Sequence, residues 1–200
     1  MEDKRITKTK NSIRQAVIRL LDSDSYEDLS VTEICKAANV SRITFYTYYN
    51  NKNDVIADMY CRYIAEASDI YHRLQAGDNP EDDVYKGYMN LLTCIIKMYF
   101  NNYDFFRHTM GTKNPYLSSE FMTHAFYYID DYLQRHDGLV TKYPRRQTAA
   151  FICNGLFSAA AICSLESYPE LDTTVMLTSM FKDILFSDIF EHLGSTTKSS

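Results

Sequence analysis

One short stretch of this chain, Ser41-Arg42-Ile43-Thr44-Phe45-Tyr46-Thr47-Tyr48-Tyr49, crowds a guanidinium, an alkyl group and several hydroxyls together. Phe45 and Tyr49 stand four apart, so on a helix they share a face and can turn inward. Arg42, Ile43, Thr44 and Thr47 are then left pointing outward. Such groups suit the edges of base pairs. A guanidinium can hold guanine O6 and N7 in a bidentate pair. Threonine offers a hydroxyl to a base or a methyl to thymine, and isoleucine can make only apolar contact, with thymine methyls as its partner. No set of comparable density for covalent or metal chemistry stands elsewhere. The chain has no Gly-rich phosphate loop and no G-x-S-x-G, so an enzyme is not expected and no catalytic residue is assigned. It has neither CxxC nor HxxxH, so no metal site and no cofactor are expected.

The outward set needs a frame, and the flanking residues supply one. Ser30 and Glu33 form an S-x-x-E capping box. Behind it Val31, Ile34, Cys35 and Ala38 repeat the i, i+3, i+4, i+7 spacing, which predicts a helix over 31–38. Asn39 can take the left-handed conformation that ends a helix, and Ser41 is a good N-cap for the next, predicted over 42–49. Asn50-Asn51 breaks that run and can cap a fourth helix from Lys52. Upstream, Ile13, Ala16, Val17, Leu20 and Leu21 make one apolar stripe on a helix predicted over 8–23. Two capped helices across a three-residue turn are the helix-turn-helix layout. In DNA-binding versions the second helix enters the major groove and its N-terminal residues meet base edges.

A net charge of −5 first argues against nucleic acid. Its distribution reverses the argument. Residues 1–52 carry nine Lys/Arg against seven Asp/Glu, whereas residues 53–200 carry twelve against nineteen. Lys4, Arg5, Lys8, Lys10, Arg14 and Arg19 cluster at the start. A basic end on an acidic body fits a protein that touches phosphates with one end, and charge alone fits a solvated basic tail equally well.

The remainder reads as helix. Only four Pro and six Gly occur in 200 residues, so interior helix breakers are scarce. Helices are predicted from Lys52 to about Leu74, from Pro80 to about Asn101, and over about 103–110, 117–135, 144–166 and 172–192. Pro80 with Glu81, Asp82 and Asp83 is placed in a first turn, and Asp172 at an N-cap. The stops are Gly77-Asp78-Asn79-Pro80, Gly111 to Pro115, His136-Asp137-Gly138 and Pro169, and the chain frays over 195–200. No strand pattern is convincing. The expected fold is all-α, about nine helices, with a helix-turn-helix domain over 1–52 and a larger helical domain over 53–200. The five cysteines are scattered through apolar patterns, which suggests reduced thiols. The polar N-terminus does not look like a targeting peptide. The longest apolar stretch, Ala149 to Cys163, falls short of a bilayer span and is expected to be a buried helix. A cytoplasmic protein without a membrane partner follows.

The segment Thr32 to Val55 resembles the signature of the TetR family of bacterial regulators. The small pair Ala37-Ala38 precedes the turn, Tyr46 lies in the recognition helix and Tyr49 closes it. Lys52 follows three residues later, then the aliphatic Val55. Asn39 replaces the Gly more usual in that turn. The likeness covers roughly residues 8–56 and implies a homodimer with two recognition helices on a near-palindromic double-stranded operator. By matching position it implies Arg42, Ile43, Thr44 and Thr47, with Ser41 beside them, at the bases. Tyr46, Tyr48 and Lys52 fall at phosphates, as do Thr32, at the start of the second helix, and more weakly Lys8.

The resemblance also implies a small-molecule pocket in the C-terminal domain. Its candidate lining is Phe100, Tyr103, Phe106, Arg107, Met110, Phe121, His124, Tyr128 and Phe151, and plain core packing accounts for each of these equally well. Ala149 and Ala159 to Ala161 permit close helix approach. The wide apolar stripe Met176, Leu177, Met180, Phe181, Ile184, Leu185 and Ile189 calls for two partners, its own core and a second subunit. The function expected is a dimeric repressor released from its operator by an effector. The alternative is a regulator, an activator included, whose C-terminal domain binds a protein partner and no small molecule.

Overall fold

The computed structural model describes residues 4–109, 113–135 and 140–191. Among them the chain forms nine α-helices: α1 (Lys4–Leu21), α2 (Val31–Ala38), α3 (Arg42–Tyr48), α4 (Lys52–Asp78), α5 (Val84–Asn101), α6 (Tyr103–Phe106), α7 (Pro115–Arg135), α8 (Arg145–Leu165) and α9 (Glu170–Leu185). Two dipeptides, β1 (Val140–Thr141) and β2 (Phe190–Glu191), pair antiparallel with Val140 opposite Glu191. The all-α expectation therefore holds, with one minimal strand pair that no alternation in the sequence announced.

The chain divides into two compact units, residues 1–65 with 102–121, and residues 66–101 with 122–200. In the first, the stripe Ile13, Ala16, Val17 and Leu21 is fully buried, together with Ile34, Phe45, Val55 and Ile56. Burying a side chain of this size is worth about 1.5–3 kcal/mol, so this small core is what holds α1, α2 and α3 at fixed angles. An aromatic cluster continues the unit. Tyr60 stacks on Phe121, Tyr63 meets Phe105 and Phe106, and Phe106 meets Phe121 at 4.9 Å between centroids.

In the second unit α9 packs on α5 and α8. Tyr71 donates its hydroxyl to that of Tyr132 at 2.8 Å. Gly87 lies against this pair, where a Cβ would come within 2.8 Å of the Tyr132 hydroxyl oxygen. Contact that close forces a neighbour to shift, so only glycine fits there without disturbing Tyr132.

Several boundaries differ from expectation. α1 is helical from Lys4, the first described residue, and within it the Thr9 and Ser12 hydroxyls bond back to the Arg5 and Lys8 carbonyls four residues earlier. α4 runs on through Gly77 to Asp78. Pro80 and its acids precede α5 rather than opening it. Asp82 turns left-handed at φ 54°, and the Asp83 carboxylate accepts the Lys86 N–H. The buried Asn79 amide holds this turn, accepting the Asp83 N–H and donating to the Asp83 carbonyl. α6 stops at Phe106. α9 starts at Glu170, with Pro169 rather than Asp172 at the cap, and ends at Leu185, where the Ser187 hydroxyl takes the Ile184 carbonyl. The stops expected at Gly111 and at His136-Asp137-Gly138, the tail 195–200 and the pocket candidate Met110 lie outside the described residues.

The expected burial of α8 is overturned. α8 is not a buried helix of this chain, because only Thr148, Ala149, Ile152, Cys153 and Cys163 are buried along it. It is also long and apolar enough to cross a membrane by length and composition.

Candidate nucleic-acid interface

The predicted caps around the short third helix are present. The Ser30 hydroxyl accepts the Glu33 N–H at 3.2 Å, and the Glu33 carboxylate accepts the Ser30 N–H at 2.8 Å. The Ser30 hydroxyl also donates to that carboxylate at 2.6 Å, and this bond, then the one from the Ser30 N–H, draws the Glu33 carboxyl below its ordinary range. Asn39 ends α2 at φ 53°, ψ 46°, and the Val40 N–H closes on the Cys35 carbonyl. The Ser41 hydroxyl then accepts the Thr44 N–H at 3.0 Å and starts α3. The chain reverses in three residues because Asn tolerates the left-handed basin and Ser caps at once.

α3 buries Phe45 and presents the opposite face. Ile43 is 83% exposed, a large apolar side chain with nothing of its own chain to cover it. Arg42, Tyr46 and Thr47 are exposed beside it, and the Arg42 guanidinium sits 5.9 Å from the centre of the Tyr46 ring. Thr44 and Tyr48 are partly buried. The hydroxyls are largely committed. Thr44 Oγ1 lies 2.8 Å from Ser41 Oγ, and Thr47 donates to the Ile43 carbonyl at 2.9 Å. Ser41 is thus a cap, and the donor hydrogen of Thr47 is spent within α3. Thr32 is exposed on the first turn of α2. Lys8 is exposed and, with Lys4, Thr7, Asn11, Ser12, Gln15, Arg19 and Ala38, lines an open groove of about 540 Å³.

Lys52 requires a correction. Its ammonium donates to the carbonyls of Tyr26, Glu27 and Leu29 at 2.8, 2.8 and 2.9 Å. An ammonium has three donors, so none remains for a phosphate. The basic cluster of α1 is also less free than its charges suggest. Arg14 is only 6% exposed and is paired with Asp58, and Arg19 donates to the Ala37 carbonyl at the end of α2.

The network around Arg14 was missed by pattern reading. Tyr49, which ends α3, donates its hydroxyl to the same Asp58 oxygen that Arg14 holds. Burial, then Asp58, pushes the Tyr49 hydroxyl well above the usual tyrosine range. A signal was there. Arg14 interrupts the apolar phase of α1 beside Ile13 and Val17, and Asp58 does the same in α4 between Val55 and Met59. Polar residues in an apolar phase ask for a partner.

The aromatic set proposed for a pocket divides between the units. In the first, Phe106 and Phe121 are buried in the aromatic cluster, Tyr103 is exposed, and Arg107 is exposed and paired with Asp22. In the second, Phe100, His124 and Tyr128 are partly buried. Phe151 is 68% exposed on α8, which does not suit the lining of an enclosed pocket.

Residues 13–59 match the family model of the bacterial regulatory proteins of the tetR family. Over 68 residues the chain is 29% identical to the HTH-type transcriptional regulator YxbF of Bacillus subtilis (strain 168), a match that spans 34% of this chain but only 18% of that protein. Among solved structures the fold is similar to a TetR-family transcriptional regulator from Syntrophomonas wolfei str. Goettingen, with a TM-score of 0.74, 14% identity, and 90% of this chain and 96% of that one covered. It is also similar to Thermus thermophilus FadR, a TetR-family transcriptional repressor solved in complex with lauroyl-CoA, with a TM-score of 0.60, 18% identity, and 92% and 96% covered. At these identities the structural likeness is one of fold.

Proposed function

We propose that this chain is a transcriptional regulator of the tetR family, a cytoplasmic dimeric repressor that leaves its operator when a small-molecule effector binds. The single observation that carries the DNA reading is α3 itself: a helix of seven residues, capped at Ser41, that turns Phe45 inward and holds Arg42 and Ile43 outward. A helix of that size fits the major groove with its N-terminal residues at the base edges. Arg42, Ile43 and the methyls of Thr44 and Thr47 are the proposed base contacts. Tyr46, Tyr48, Thr32 and Lys8 are the proposed phosphate contacts. The DNA-binding function is assigned to residues 1–52, and dimerisation and sensing to residues 53–200.

The dimer reading rests on α8 and α9. From Gln147 to Leu165 α8 carries no charged side chain, yet Phe151, Ile162 and Leu165 are exposed, as are Leu171 and Val175 of α9. Exposed apolar faces of this extent mark an interface, and isologous two-fold pairing is its commonest form. Phe151 belongs to this face rather than to a pocket. The effector reading rests on fold likeness to Thermus FadR and its lauroyl-CoA, with Phe100, His124 and Tyr128 as proposed contacts. Binding would favour an arrangement in which the two recognition helices no longer match the about 34–36 Å of one DNA turn. The test is a gel shift with DNA from upstream of the protein's own gene. Salt-sensitive retardation is expected, and no binding to any duplex there contradicts the reading.

A further inference from the structure

We propose that Lys52 is a positioning residue: a clasp that fixes the loop before α2 against the junction of α3 and α4, and so sets the pose of the helix-turn-helix without touching DNA. The inference rests on the DNA-binding reading above and departs from the phosphate role that family resemblance implies for this lysine.

The geometry is specific. Lys52 is the first residue of α4, where the helix dipole makes a cation unfavourable. Its charge is nevertheless held there because three carbonyls of one loop converge on it, from Tyr26, Glu27 and Leu29, all within 2.9 Å. The ammonium also lies 4.8 Å from the centre of the Tyr26 ring, a cation–π contact. The clasped loop ends at Ser30, the N-cap of α2. It is fastened on its other side as well. The Tyr26 N–H donates to Asn114 at 2.7 Å and its hydroxyl to Asn53 at 2.6 Å. Three carbonyls pointing at one site would repel one another and lie partly out of water without the cation. The charge is thus spent inside the fold. Removing it frees the start of α2, and with it the angle at which α3 is presented.

The test uses the full chain and the variant Lys52→Met, with Lys52→Gln, which keeps two donors, carried in parallel should the first not fold. In the free protein, amide exchange at Asp28 and Leu29, whose N–H groups bond to Ser25 and Tyr26, is expected to speed up about tenfold or more. Unchanged exchange there overturns the proposal, whatever the behaviour on DNA. On a bound duplex, affinity is expected to fall about tenfold or more while the slope of log affinity against log salt stays that of wild type. A phosphate contact contributes about 0.9 to that slope, so a slope shallower by about one overturns the proposal. A wild-type chain that binds no duplex would count against the DNA-binding reading, and the exchange result would still decide the clasp.

Discussion

Tyr49 donates its hydroxyl to Asp58 Oδ2 at 2.7 Å and so ties the residue that ends α3 to the second turn of α4. Arg14 of α1 holds the same carboxylate oxygen. Three helices therefore meet on one acid, and the pose of α3 depends on it. Tyr49→Phe removes one hydrogen bond and is expected to cost about 1 kcal/mol in urea denaturation. Asp58→Ala strands the buried Arg14 charge and is expected to cost about 3 kcal/mol. An Asp58→Ala loss smaller than that of Tyr49→Phe would mean the acid is not the anchor.

The turn makes a sharper prediction about one residue. Asn39 sits at φ 53°, where a β-branched side chain is strained and glycine is not. Asn39→Gly should change stability by only a few tenths of a kcal/mol, and Asn39→Val should destabilise by about 1–2 kcal/mol. Ser30→Ala, which breaks the capping box, should cost about 1 kcal/mol. Thermal melts of the three variants decide this, and equal behaviour of the Gly and Val variants would contradict the assigned turn.

Alkaline pH should unfold the protein early. Burial pushes Tyr88 and Tyr128 up to about 12, and the thiols of Cys94 and Cys153 up to about 12. Tyr49, Tyr60 and Tyr132 move in the same direction, with burial again the main cause. A raised folded pKa stabilises the protein below the unfolded value, and that stability is lost as pH climbs toward the folded value. The unfolded values are about 8.5 for Cys and 10 for Tyr, so the denaturant midpoint should hold to about pH 8 and fall between about pH 9 and 12. Tyrosinate absorbance that develops fully near pH 10 with an unchanged midpoint would contradict these burials.

Most of the first unit was legible because its signals are local. The Ser30–Glu33 box, Asn39 and Ser41 are adjacent in sequence and act on their own backbone, so α2 came out at its observed bounds. Arg14 left a signal, the polar breaks that it and Asp58 make in two apolar phases. The fate of Lys52 was not legible: it is a cation near α3, and sequence alone does not reveal that three carbonyls will consume it. The α4–α5 junction was misplaced for the same reason. Pro80 suits a first turn, but the Asn79 side chain closes the loop first and delays α5 to Val84. The exposure of α8 departs from expectation because an apolar composition does not say how much of a helix its own chain covers.

The proposed dimer face can be broken without touching the first unit. Phe151→Glu and Ile162→Glu place charges on exposed positions of α8, so each should leave the fold of the monomer intact. Sedimentation should show a dimer for wild type and a monomer for the double variant, with DNA affinity reduced in parallel. A wild-type monomer at micromolar concentration, or a double variant that stays dimeric, would remove α8 as the interface.

The central claim is that α3 reads sequence in the major groove, and selection of bound duplexes from a random pool tests it most directly. The account predicts enrichment of a near-palindromic site with half-site centres about 10 base pairs apart, or a multiple of that. It further predicts that Arg42→Ala, at an exposed position, keeps the fold but loses about 1–3 kcal/mol of discrimination at one base pair of each half-site. No enrichment by the wild-type protein, or an identical enriched site for Arg42→Ala, would contradict it.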